Sequence, residues 1–144
     1  MSNEVAVNDN AVYNTIDRLN SGSPALYSSF KGDDFESNKA QIQALTNSQP
    51  VADHLGKKIA LTNVIVQSAD MVNEKSGEVQ SVPRITLVDK DGNSFHTISG
   101  PLMRDLENVI GMMGDPASWP QPLDVAVTEE KGSGGYKFFK LSVV

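Results

Sequence analysis

The sequence predicts a mainly β fold: a small five-stranded barrel with one helix between its third and fourth strands, preceded by a helical N-terminal extension. Three observations carry this. Two β-prone runs, Arg84 to Val88 and Ser94 to Ile98, flank Asp91-Gly92, and glycine tolerates the positive φ that a tight hairpin turn demands. Apolar and polar residues alternate from Leu123 to Thr128 and again from Tyr136 to Val143, the period of half-buried strands. The strongest helical pattern lies between Ser99 and Met113.

In chain order, Ala11 to Asn20 places Val12, Ile16 and Leu19 at helical spacing and stops at Ser21-Gly22. Asp33 to Thr46 reads as a second helix, with Asp33 or Asp34 as its cap and Phe35, Ile42 and Leu45 as its apolar contacts. A stripe this thin docks on something else rather than forming a core. Residues 1–52 therefore form an appendage, and residues 53–144 the β domain, with Pro50 to Leu55 as the connection.

Lys57 to Ser68 is rich in Ile, Leu, Val and Thr. Ile59 and Leu61 alternate in one phase and Val64 and Val66 in the other, so a bulge or sharp bend is expected near Asn63. Ala69 to Val82 reads as a polar connection. In the hairpin that follows, Phe95 and Ile98 fall on opposite faces; with Ile98 committed to the core, Phe95 points outward. Ser99 caps the next helix, Pro101 lies in its first turn, and Leu102, Leu106, Ile110 and Met113 line one face until Gly114-Asp115-Pro116 stops it. Glu129 to Gly135 is a loop between the last two strands. This element order fits an OB-fold, the small Greek-key barrel that often binds oligonucleotides.

The totals narrow the function. In 144 residues, 39% are apolar and 21% charged, as expected of a soluble globular chain, and the absence of cysteine removes disulfides and thiolate metal sites. No signal-peptide pattern opens the chain, and no apolar run approaches the ~20 residues of a membrane span, so a cytoplasmic site and no membrane contact are expected. The net charge of −6 opposes indiscriminate binding to polyanions. From Met1 to Leu55 there are seven acids and three bases; from Gly56 to Val144 there are eleven and nine, so a local basic track is compatible with the second part.

Enzyme readings find little support. The two histidines, His54 and His96, have no metal-ligand spacing, and Asp89 to Asn93 lacks the closing glutamate of a calcium loop. Lys131-Gly132-Ser133-Gly134-Gly135 has the composition of a phosphate loop but neither its order nor a following helix. No enzyme activity, cofactor or metal is expected. The best constellation is Tyr136, Phe138 and Lys140 on one face of the last strand, together with Phe95. Exposed aromatics stack bases, and nearby Lys131, Lys137, Lys140 and Arg84 would neutralise phosphates. The alternative is a non-enzymatic protein–protein interaction module, in which the same aromatics pack under the N-terminal helices or in an oligomer interface.

Residues Ile85 to Val144 also resemble a family. Ile85-Thr86-Leu87, Asp91-Gly92 followed by Phe95, Ile98-Ser99, the Leu- and Ile-rich helix, Asp124 to Val127, and Gly135-Tyr136-Lys137-Phe138-Phe139-Lys140-Leu141 are similar to the small phage single-stranded DNA-binding proteins of Gram-positive hosts. The resemblance reaches back to about Lys57 at most. It implies an OB-fold that coats single-stranded DNA in phage replication inside the bacterial host, without a cofactor. Stacking would fall to Phe95, Tyr136 and Phe138, and phosphate contacts to Lys131, Lys137, Lys140 and Arg84. The N-terminal helices fall outside the resemblance, and such extensions can serve homo-oligomerisation; replication proteins are further partners it implies.

Overall fold

A computed structural model describes residues 27–32 and 34–144. The expected helix from Ala11 to Asn20 lies outside the described residues. The elements are β1 (Tyr27–Ser28), α1 (Phe35–Thr46), β2 (Gln49–Pro50), β3 (Lys58–Val72), β4 (Val79–Asp89), β5 (Ser94–Thr97), α2 (Gly100–Met113), β6 (Leu123–Lys131) and β7 (Lys137–Val143). Short 3-10 turns occupy Val51–His54, Pro116–Ser118 and Ser133–Gly135.

β3 organises the sheet. Its pairing with β4 shifts between Leu61↔Asp89 and Asn63↔Val88, which is the bulge that the change of phase near Asn63 predicted. Thr62 sits in the shift and its hydroxyl donates to the carbonyls of Val88 and Asp89, at 3.2 and 3.1 Å. One edge of β3 then serves two neighbours: Lys58 to Leu61 pair with β6, and Ile65 and Val66 pair with β1. The other edge runs with β4 out to Val72↔Val79. Ala69 to Val82, expected as a polar connection, is therefore mostly a ladder, with the turn confined to Asn73–Glu78. Backbone pairing extends past the point where burial stops, so the side chains there carry no apolar pattern to betray the strands.

The strand order is β2-β5-β4-β3-β6-β7, with β1 on β3. The sheet curls into a half-barrel, consistent with the OB-like fold expected. Closure would require β5 to meet β7. Instead Gln49 and Pro50 pair in parallel with Phe95 and His96 and occupy the free edge of β5.

Inside the curl, Leu61, Val64, Ile85, Leu87, Val125 and Val127 pack with Leu102 and Leu106 of α2. Ser99 caps α2 by accepting from the Leu102 N–H, and Gly114, at φ +85°, ends it. The outer face carries a smaller core of Ile65, Val88 and Ala44 from α1, flanked by Phe30 and Leu45. Asp34 is the cap of α1, accepting from the Ser37 N–H at 2.9 Å. The contacts expected of Phe35 and Ile42 do not form: these side chains are 77% and 59% exposed. α1 docks through Ala44 and Leu45 at its C-terminal end, because Gln49-Pro50 ties that end to the sheet and leaves the first turns in solvent.

Candidate nucleic-acid interface

The β6–β7 hairpin sorts the candidate residues by face. Val127↔Leu141 is a buried pair of the inner core, so Glu129↔Phe139 and Lys131↔Lys137 share its face. Thr128↔Lys140 and Glu130↔Phe138 lie on the opposite face. Phe138 and Lys140 thus share a face, as the alternation predicted, while Phe139 packs against the core.

Tyr136 enters through the turn. Gly134 and Gly135 both adopt φ +84°, a conformation that penalises any Cβ, and the Gly132 N–H donates to the Tyr136 carbonyl at 2.8 Å. The Tyr136 ring lies over the bare α-carbon of Gly132 and is 62% exposed. Its centroid is 6.0 Å from that of Phe138, with the planes tilted by 42°. Two clefts flank this pair. One, of about 290 Å³, is lined by Pro101, Arg104 and Asp105 of α2 together with Tyr136 and Phe138. The other, of about 360 Å³, runs from Ile98 and Ser99 past the same two rings to Lys137 and Glu129. Lys131 and Lys140 are exposed and make no ion pair among the described residues, whereas Lys137 Nζ lies 3.7 Å from Glu129.

Phe95 is elsewhere. It pairs with Leu87, and cross-strand partners share a face, so its ring packs against the inner core rather than pointing outward. β5 ends at Thr97, and Ile98 is exposed at the junction with α2; the expectation that Ile98 would claim the core fails because it is no longer in the strand. The outer edge of the Phe95 ring meets His54 at 4.9 Å between centroids, edge to face. The pair lines a separate cleft of about 410 Å³ with Asn47, Gln49, Asp91 and Asn93. His54 Nε2 hydrogen-bonds Gln49 Oε1.

Arg84 is also apart from Tyr136 and Phe138. Its guanidinium donates to Gln67 Oε1 at 3.1 Å and to Ser48 Oγ at 3.2 Å, and Ser48 Oγ lies 2.8 Å from His96 Nδ1. Burial, with the Arg84 charge beside it, holds the His96 imidazole below its ordinary range. This network joins the end of α1 to the sheet. Among the described residues no group of three or more His, Cys, Asp or Glu is arranged to hold a metal, and no helix is long and apolar enough to cross a membrane.

The family model described as Phage Single-stranded DNA-binding protein matches residues 21–144. The chain belongs to this family. It is a family of DNA-binding proteins rather than of enzymes. The match begins well before Lys57, so α1 and the strands that precede the long hairpin fall within it. No curated protein and no solved structure matches the chain.

The sequence pattern does not place Arg104 and Pro101 beside Tyr136 and Phe138. Both sit on a helix whose pattern announces only its buried stripe, and nothing local says that its first turns face the rings of β7. The shared face of Phe138 and Lys140 is legible because strand alternation alone assigns it.

Proposed function

We propose that this chain binds single-stranded DNA without sequence preference and coats it during phage replication. The observation that carries the reading is the pairing of the exposed Tyr136 ring with the half-buried Phe138 ring between two open clefts, in a chain of this family. Every base has a π face, so stacking on such rings tracks a strand without reading it. Lys131, Lys137 and Lys140 on the same hairpin neutralise the phosphates of the bound strand.

Phe95, with His54 beside it, forms a second stacking point at the other cleft. There the amides of Asn47, Gln49 and Asn93 offer both donors and acceptors to a base edge. Arg84 has a different task in this reading: with its guanidinium engaged by Gln67 and Ser48, it orders the junction between α1 and the sheet.

The test is the binding of labelled oligothymidine by the wild-type protein and Phe138→Ala, each at low and high salt. Phe138→Ala is expected to weaken binding by about 5- to 150-fold, the loss of one base stack of ~1–3 kcal/mol, with the fold intact. Wild-type affinity that does not respond to salt, or no binding at low salt, would refute the proposal.

A further inference from the structure

The hairpin supplies two unpaired lysines, Lys131 and Lys140, of which only Lys140 lies on the face of Phe138. On the face that Phe138 occupies, its direct cross-strand neighbour is Glu130, and Lys140 is the lysine of that face of β7. Lys137 shares its charge with Glu129. A phosphodiester strand lying on Tyr136 and Phe138 needs another cation close by, and the opposite wall of the smaller cleft has one.

That wall is the start of α2. Pro101 presents an apolar ring, suited to a sugar, and Arg104 is exposed with no ion pair or hydrogen bond to any described residue. Asp105, next in sequence and in the same cleft, does not pair with it. The Asp105 carboxylate instead accepts the Leu141 N–H through Oδ2 at 3.0 Å. That bond fastens the helix to the edge of β7 that no strand covers. It fixes Arg104 across the cleft from the aromatic pair and takes up the one carboxylate in the cleft lining. A guanidinium left free in this way has five N–H donors in a rigid fork, the geometry that suits phosphate oxygens.

We propose that Arg104 is a phosphate contact of the bound strand, so that α2 forms one wall of the DNA track and the β6–β7 hairpin the other. This rests on Tyr136 and Phe138 being the DNA-stacking pair. Each phosphate contact on a single strand adds ~0.7 to the slope of log affinity against log salt. Between about 50 and 200 mM salt, one contact therefore accounts for roughly a 2.6-fold share of the affinity loss.

The experiment measures oligothymidine binding by fluorescence anisotropy at those two salt concentrations for wild type, Arg104→Gln, Arg104→Lys and Lys39→Gln. Lys39 is exposed on α1, in the layer that packs on Ile65 and Val88, and its change removes the same charge. The expected result is a salt response reduced by about 2.6-fold in Arg104→Gln, kept in Arg104→Lys and kept in Lys39→Gln. If wild type binds but Arg104→Gln responds to salt as wild type does, the contact is refuted and the stacking pair is untouched. Equal reduction in Arg104→Gln and Lys39→Gln would also refute it, by assigning the effect to overall charge. Failure of wild type to bind at the lower salt would overturn the stacking reading itself.

Discussion

Gly132→Ala separates the binding site from the fold. A Cβ at position 132 would lie 2.5 Å from Cζ, 2.8 Å from the hydroxyl oxygen and 2.9 Å from Cε1 of Tyr136. Non-bonded carbons settle at ~3.5–4.0 Å, so the ring must retreat by about 1 Å or swing away. The backbone makes no objection, because φ −89° and ψ 179° are extended values that alanine adopts freely. At such a position alanine gains ~0.4–1 kcal/mol of stability by restricting the unfolded chain. Against this stands the loss of the tilted contact with Phe138, worth ~0.5–1.5 kcal/mol at most. The two nearly cancel, and Tyr136 is too exposed for its displacement to open the core. The melting temperature should therefore move by no more than a few degrees, while the displaced ring forfeits up to one base stack, about 5- to 150-fold in affinity. Thermal unfolding and oligothymidine anisotropy on the same preparation measure both. Wild-type affinity in Gly132→Ala would refute the role of the positioned ring. A fall in melting temperature that tracks the fall in affinity would assign Gly132 to folding instead.

Two further predictions concern stability. His96 is held below its ordinary 6.5 by burial and by Arg84, so as pH falls below about 6.5 the unfolded chain takes up a proton that the folded chain refuses. This contribution is complete above the unfolded value and is lost as pH drops toward the folded one; His96→Gln should flatten the fall in melting temperature between about pH 7 and pH 5, and an unchanged profile would count against it. The Thr86 hydroxyl is fully buried beneath α1 and finds no hydrogen-bond partner among the described residues. Thr86→Val keeps the shape and removes the orphaned group, so it should raise stability by about 1 kcal/mol in a denaturant titration; a loss of that size would mean the hydroxyl is satisfied in solution.

What the sequence disclosed follows a physical line. The bulge near Asn63, the Asp91-Gly92 turn and the faces of Phe138 and Lys140 are all local: each is decided by side-chain period or by the φ that one residue tolerates. The outward face expected of Phe95 depends on Ile98 holding the core, and Ile98 lies beyond the end of β5 and is exposed. The docking end of α1, the two-residue strands β1 and β2 and the cleft shared by α2 and β7 depend on partners distant in the chain. No pattern within eight or ten residues encodes them.

The net charge of −6 poses the sharpest objection to the proposed binding mode, which turns on how charges near the rings are engaged rather than on how many there are. Asp34 caps α1, Asp89 closes the β4–β5 turn by accepting from Asp91 and Asn93, and Asp105 holds the edge of β7. Asp115 pairs with Lys31 at 2.9 Å, and that contact holds its carboxyl below the usual range. These acids are committed to N–H groups and to a lysine; the acids left beside the rings are Glu129, paired with Lys137, and Glu130, opposite Phe138. Lys131, Lys140 and Arg104 are the reverse: exposed, unpaired among the described residues and gathered on the hairpin and helix that frame Tyr136 and Phe138. A phosphate within a Debye length of ~8–10 Å responds to that local set far more than to the total. In the proposed reading, the acidic balance limits non-specific attraction across the rest of the surface and favours the track where cations and stacking faces coincide.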